Sequence, residues 1–380
     1  MQKINAIVAG RGTIGLPLID ELKRLGHNVL CSFTRKQLWR ELATGSERIK
    51  TLPGEITETT LAESLDCYCA PVKDVEMKAD VAFIAIPSSG KGEEEMALVE
   101  YFRSRGVHII TFAKGAFAYR YRELQPHLGH IGRRGVVGGR VGVLRWLQTH
   151  HLCDKDVTMH AVLNASNNMF FDECHKDNAM EAAFASVKRD RLAEPGAKDV
   201  VSFVNGELRD TKLKMAAAFS DGLAPFGGPF VTADDLPDPV AVTLADLRAM
   251  TLPSRNLRPI VRITRHLDLP LEFERDSPGS MFVELGGYQF SLGFYDIGPN
   301  NMLAGWSIGG GAWNGVRVQH DDGVEGPLTT GGLGAGPGPT IGSALCDLAD
   351  YMKEREQVPA EPKQKQAKPA TLASENVAIA

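Results

Sequence analysis

The six residues Gly10-Arg11-Gly12-Thr13-Ile14-Gly15 limit what this chain can fold into more than any other stretch. Before them runs Ile4-Asn5-Ala6-Ile7-Val8-Ala9, a short apolar run that reads as a buried strand. After them comes Leu16 to Leu25, with Leu16, Leu18, Ile19, Leu22 and Leu25 spaced to share one face of a helix. A strand, a G-x-G-x-x-G turn and a helix together form the context of a dinucleotide-binding unit. In that reading Gly10 makes the tight turn and Gly12 lets a pyrophosphate approach the backbone. Gly15 lets the helix lie against the strand, and the helix N-terminus, entered through Thr13 and Ile14, faces the phosphate charge. The competing reading is a glycine-rich turn without a ligand.

Composition narrows the class. The chain has 380 residues, 43% hydrophobic and 23% charged, with a net charge of −5. These values fit a globular protein of roughly two or three domains. The negative balance argues against a nucleic-acid partner. No apolar run reaches the ~18–20 residues of a membrane span. Met1 leads straight into the first strand, so no signal peptide is expected. The six cysteines form no C-x-x-C pair, which suits reduced thiols in a cytoplasmic protein. Cys174-His175 has no further ligands close in sequence and reads as structural rather than nucleophilic or metal-binding.

His27 to Phe33 reads as the second strand, followed by Thr34-Arg35-Lys36. An NAD site usually carries an acid about 20 residues past the glycines, for the ribose hydroxyls. Here no acid is present, and Arg35 and Lys36 suit a 2′-phosphate, so NADP (as NADPH) is expected over NAD. The plainer alternative is two solvated charges at a helix start. A helix is expected near Thr59–Ser64 and a short strand at Cys67–Ala70. Ala79 to Ile86 is a buried strand ending in Pro87-Ser88-Ser89-Gly90, Gly92 to Arg105 a helix, and Val107 to Phe112 the next strand. Such alternation predicts a parallel sheet with ligands at the strands' carboxyl ends. Lys114 follows one of those ends, at the same edge as Ser88.

Val141 to Leu147 is an apolar helix, and Asp156 to Leu163 a strand entering a second domain. Asn164 or Ser166 can cap the helix that follows. Asn178 to Lys188 and Leu208 to Phe219 read as helices, the latter carrying Asp210 and Lys214 at i, i+4, the spacing of a surface ion pair. Phe226 to Asp238 reads as a loop. Arg258 to His266 and Ser280 to Phe294 alternate like strands, with Gly286-Gly287 and further glycine clusters marking hairpins. Thr340 to Lys353 is a helix, and 357–380 reads as a disordered tail. The expected fold is therefore α/β. A Rossmann-type parallel sheet (1–150) joins an α+β domain with a mixed or antiparallel sheet (151–330).

Five motifs in order extend this reading: Thr111-Phe112-Ala113-Lys114-Gly115, Val137-Gly138-Gly139-Arg140-Val141-Gly142, and Val162 to Asn168; then Ala193-Glu194-Pro195 with Gly206 and Asp210 to Lys214; and Gly332 to Thr340. On these the chain resembles the homoserine dehydrogenase family, in a form without a fused kinase or an ACT domain. The similarity runs over most of residues 3–350, most weakly between about 220 and 328. The resemblance implies an NADP-dependent oxidoreductase that interconverts homoserine and aspartate semialdehyde. It implies Asp210, Lys214 and Lys114 as catalytic residues, and Glu194 as the acid holding the substrate ammonium. Asn205, Asn164, Ala165 and Ser166 would line the substrate site. Gly334, Ala335 and Gly336 would return the chain to the cofactor, beside Thr34, Arg35, Lys36, Pro87 and Ser88, so that 331–356 completes the Rossmann-type domain. A homodimer is also implied.

The departures are specific. Asn205 replaces the family's substrate-contacting Asp, and Arg191-Leu192 replaces its Gly-Tyr. Gly142 replaces a proline, and Arg134 replaces a glutamate of the family's monovalent-cation site, so that site is expected to be lost and no metal is assigned. A different small alcohol or carbonyl substrate, or a non-catalytic NADP-binding relative, are the alternative readings.

Overall fold

A computed structural model describes residues 3–69, 78–88, 90–150, 156–176, 179–193, 196–224, 229–252, 255–268, 271, 273–297, 308–320 and 326–357. The first part of the chain runs β1 (Asn5–Ala9), α1 (Gly15–Arg24), β2 (Asn28–Phe33), β3 (Gln37–Leu42), β4 (Gly45–Thr51), α2 (Glu58–Cys69), β5 (Val81–Ile84), α3 (Glu93–Ser104), β6 (His108–Thr111), α4 (Gly115–Tyr119), α5 (Tyr121–Leu124), β7 (Ile131–Gly132) and α6 (Val143–Thr149). Its sheet has the order β4-β3-β2-β1-β5-β6-β7. Strands β2, β1, β5, β6 and β7 pair in parallel, and β3 and β4 add an antiparallel hairpin at one edge. Parallel strands covered on both faces read as unbroken apolar runs, and all four residues of β5 are buried.

The glycine turn behaves as its sequence demands. Gly10 has φ 108° and packs so tightly that a Cβ would lie 2.2 Å from the Ala85 carbonyl oxygen. A Cβ on Gly15 would lie 2.0 Å from the Gly10 carbonyl oxygen, so only glycine lets α1 start this close to the turn. Around Gly12 there is open space.

The chain continues through β8 (Val157–Val162), α7 (Ala165–His175), α8 (Met180–Arg189), α9 (Val200–Ala218), one π-type turn over 219–223, and α10 (Leu244–Met250). It then forms β9 (Leu257–Thr264), β10 (Met281–Leu285), β11 (Tyr288–Asp296), β12 (Trp313–His320), β13 (Leu328–Leu333) and α11 (Pro337–Gln357). The second sheet, β10-β11-β9-β8-β12-β13, is antiparallel throughout. The expected hairpin at Gly286-Gly287 is the β10–β11 turn. Helix α11 packs Ile341, Ala344 and Leu348 against Ile4, Ala6 and Val8 of the first sheet. It is tied there by Arg134, whose guanidinium lies 2.8 Å from Asp347 and 2.7 Å from Asp350. No described helix is long and apolar enough to cross a membrane.

Several expectations need correction. Arg35 and Lys36 start a hairpin, not a helix: Leu38 buries its side chain while β4 exposes all seven residues. The strand expected at Cys67–Ala70 is helical as far as Cys69, because α2 continues without a break; Ala70 lies outside the described residues. Helix α9 begins at Val200 rather than Leu208. A reciprocal cap between Asp199 and Ser202 starts it, and Val200, Phe203 and Val204 bury its first two turns. Helix α10, capped in the same way by Thr243 and Asp246, was not foreseen. Gln357, the first residue of the expected tail, is the last of α11, and 358–380 lie outside the described residues.

Two substitutions separate packing from open space. Gly15→Ala should lower stability by about 1–3 kcal/mol, because a backbone oxygen occupies the site of the new methyl group. Gly12→Ala should stay within about 0.5 kcal/mol of wild type. Urea unfolding of both variants checks the contrast.

Candidate active site

The carboxyl ends of β1, β2 and β5 open onto a cleft of about 1160 Å³, just above the roughly 300–1,000 Å³ common for ligand pockets. One wall is the turn Gly10-Arg11-Gly12-Thr13-Ile14 at the start of α1, the floor is Ala85-Ile86-Pro87, and Thr34, Arg35 and Lys36 form the far side. Lys188, Arg191, Leu192 and Ala193 face this wall from beyond α8, and Gly336 and Pro337 close the cleft where α11 begins. Gln37 and Trp39 of β3 also line it; they were not anticipated, because β3 itself was not. A bound dinucleotide fits these residues. The Gly10 turn brings bare backbone to the cleft, the space over Gly12 is free, and a helix of ten residues starts there.

Two of the cleft's cations are neutralised. Arg11 pairs with Glu41 and Ser32 and lies over the Trp39 ring, 4.5 Å from its centroid. Glu41 is buried on β3. Burial works against its charge, but Lys23, Ser32 and Arg11 hold it below the usual carboxylate range. Arg35 is engaged by Glu94, at 2.7 Å.

Beyond Pro87 the chain places Ser88 and, from the next strand, a lysine, both outside the residues that line the cleft. Ser88, next to Pro87, accepts the backbone N–H of Lys114 at 2.8 Å, and Lys114 caps α4 at the end of β6. Glu95 reaches from α3 to accept the Ala116 N–H, fixing the same turn. Burial raises its carboxyl despite bonds from the Ala116 and Gly115 amides. From the other side, α9 presents Asp210 and Lys214 one turn apart. The Lys214 ammonium lies 2.8 Å from Asp210, and the Lys114 ammonium bonds the carboxylate's other oxygen. Two lysines a hundred residues apart in sequence thus meet on one carboxylate. All three side chains are 15% exposed or less. Burial alone would raise the Asp210 carboxyl, but the two ammonium groups outweigh it and hold it well below the ordinary range.

Asn164 completes the arrangement. Its carbonyl oxygen caps α7 by accepting the Asn167 N–H at 2.8 Å, and its amide donates to Asp210 at 3.2 Å and to Glu207 at 2.7 Å. The capping reading is met, and the same side chain also bonds the carboxylate that the two lysines share. Glu207, buried three residues before Asp210 on the same face of α9, escaped the sequence reading. Its i, i+3 and i, i+7 spacing to Asp210 and Lys214 was the available signal.

Other expected site residues are placed differently. Asn205 is committed elsewhere: its amide donates to the Val242 carbonyl at 2.9 Å and accepts the Val242 N–H at 2.8 Å. Five residues from Asp210, it points roughly 140° around the helix from it. Ser166 spends its hydroxyl on the Leu192 carbonyl, at 2.7 Å, and Ala165 is buried in the first turn of α7. Gly334 does not line the cleft; a Cβ there would meet Asn314 at 2.2 Å, and its carbonyl backs onto Gly139. Ala335 and Gly15 lie outside the cleft lining, whereas Gly336 is in it. Glu194 lies outside the described residues. Cys174 is buried, which pushes its thiol up to about 12, and His175 Nε2 accepts the Leu257 N–H, so this pair is structural.

The triad has a pH signature. A depressed carboxyl contributes stability that is fully present above its unfolded value of about 3.9 and is lost as pH falls toward its folded value. Asp210→Asn, which leaves two buried ammoniums without their counter-charge, should cost about 3–5 kcal/mol near neutrality. That gap should narrow by about 1.4 kcal/mol per pH unit below about pH 3.9, as followed by urea unfolding across the acid range.

No protein-family model and no curated protein matches this chain. Solved structures do. Homoserine dehydrogenase from Thermoplasma acidophilum superposes with a TM-score of 0.60 at 16% identity, covering 93% of this chain and 100% of that one. A hyperthermophilic archaeal homoserine dehydrogenase in complex with NADPH gives 0.59 at 15% identity, covering 93% and 98%. The Staphylococcus aureus enzyme gives 0.55 at 16% identity, covering 98% and 82%. From the glycine turn to the returning terminal helix, this chain has the fold seen in homoserine dehydrogenases.

Proposed function

We propose that this protein is an NADP-dependent oxidoreductase that interconverts homoserine and aspartate semialdehyde. The observation that carries the reading is the meeting of Lys114 and Lys214 on Asp210, next to a cleft shaped for a dinucleotide. A nicotinamide cofactor, when bound, supplies or accepts the hydride. The chain's own residues handle charge and protons. Asp210 is held ionised and cannot serve as the acid, so it acts as a fixed anion that positions both ammoniums. Lys214 gives its proton to the carbonyl oxygen in reduction and takes it back in oxidation, and Lys114 orients the same oxygen. The two ammoniums favour the negative charge of an alkoxide as it forms.

Residues 1–150 with 331–356 form the cofactor domain in this reading, and 151–330 the substrate domain. Glu194 would hold the substrate ammonium. Preference for NADP over NAD, a homodimer and a cytoplasmic location belong to the same proposal. The position of Asn205 favours a second reading. With its amide spent on Val242 and no acid in its place, amino-acid recognition is reduced, which suits a different small carbonyl or alcohol.

Oxidation of NADPH with aspartate semialdehyde, and with a panel of other small aldehydes, tests both readings. Turnover confined to another aldehyde selects the second. Binding of NADPH with no turnover on any of them leaves a non-catalytic relative. Lys214→Ala should lower kcat at least 10²-fold while still binding NADPH; unchanged turnover would remove Lys214 from the mechanism.

A further inference from the structure

Helix α8 ends in a strained backbone. The Leu192 N–H returns to the Val187 carbonyl at 3.1 Å and the Arg191 N–H to the Lys188 carbonyl at 3.0 Å. This is the paired closure in which the residue at position 191 must turn left-handed, and glycine normally fills that position. Here it is arginine at φ 57°, the one non-glycine residue with positive φ among the described residues. The turn is fixed from beneath, since Ser166 holds the Leu192 carbonyl. A non-glycine residue kept in this conformation points to a function for its side chain.

Arg191 lines the cleft together with Lys188, opposite the glycine turn. Ordinary helix-end electrostatics do not require either one. Arg189, in the same last turn, already serves the helix C-terminus and pairs with Asp190. Among the described residues no carboxylate lies within ion-pair distance of Arg191 or Lys188; Lys188 only rests over the Phe184 ring, 4.3 Å from its centroid. On the opposite side Arg11 and Arg35 are each paired with a glutamate. Of the three remaining lining cations, Lys36 belongs to the first sheet's side, and Lys188 and Arg191 come from the end of α8.

We propose that Arg191 and Lys188 bind the phosphates of the dinucleotide from across the cleft, so that the cofactor is gripped by both halves of the molecule rather than by the glycine turn alone. This rests on the cofactor assignment made above. The shared chemistry is a phosphate ester dianion or a pyrophosphate. An arginine fork matches such oxygens, and the left-handed turn holds the fork in place before the ligand arrives.

The test is NADPH and NADH binding to the full chain by fluorescence titration, for wild type, Arg191→Gly, Arg191→Lys and Lys188→Ala. Arg191→Gly removes the fork and relieves the backbone, so its Tm should equal or exceed that of wild type, and a weaker Kd cannot be blamed on misfolding. The expected result is a Kd for NADPH raised at least tenfold by Arg191→Gly and severalfold by Lys188→Ala. Arg191→Lys should fall between, and the salt dependence of binding should be shallower in Arg191→Gly and Lys188→Ala. Equal losses for NADH and NADPH place the side chains on the pyrophosphate, and a loss for NADPH alone places them on the 2′-phosphate. Wild-type binding with every variant within twofold of it overturns this inference and leaves the cofactor assignment standing. A wild-type chain that binds neither nucleotide overturns the assignment itself.

Discussion

The carboxylate of Asp210 is the one charge around which the two halves of this molecule are arranged. It sits on α9, behind the second sheet, yet one of its oxygens is bound by Lys114 from the end of a strand in the first sheet. Taking three charges out of water is costly unless each finds its partner in good geometry. The partners come from β6, from the next turn of α9 and from the cap of α7, so their positions are mutually dependent. Ser88 and Glu95 serve this arrangement indirectly by fixing the backbone around Lys114. The stability of the fold and the alignment of these three charged side chains are two aspects of the same contact.

The hairpin of β3 and β4 gives the cleft at the glycine turn its particular character. It places Trp39 and Glu41 beside the glycine turn and uses Glu41 to hold Arg11 flat over the indole. An arginine held in that way is a planar surface rather than a free counter-charge. The outer strand β4, fully exposed and carrying Glu47, Arg48 and Lys50, ends the sheet with charges that discourage pairing with another edge.

What was legible in the sequence follows from how local the cause was. The β1 turn is dictated by sterics at Gly10 and Gly15, and both the strand and the helix beside it stand where periodicity put them. The β10–β11 hairpin was announced by two adjacent glycines, and β5 by an unbroken apolar run. The hairpin of β3 and β4 was hidden because its half-buried and charged residues carry neither a clean alternation nor an apolar run. The first half of α9 was hidden because a cap of the type Asp199 with Ser202 departs from the usual acidic third residue. At the site, Lys114 could be placed by its strand end, whereas the spacing of Lys214 from Asp210 read as a surface ion pair and only the family resemblance drew the pair inward. Glu95 could not, since its partner lies 21 residues away, nor could Asn205, whose bonds to Val242 span 37 residues. Pairings of that range are properties of the folded chain, and a local reading of side-chain chemistry does not reach them.

The returning helix α11 has a bearing on how the protein is made. One face of the first sheet, with Ile4, Ala6, Val8, Phe83 and Ile110, is roofed jointly by α1 and by Ile341, Ala344 and Leu348. Every strand of that sheet leaves the ribosome long before those three residues are translated. The nascent α/β layer thus waits half-roofed while the whole antiparallel layer is synthesised, and no described residue synthesised in between joins this apolar cluster. The emergence of α11, rather than of the first hundred and fifty residues, is the event that lets the first sheet finish folding.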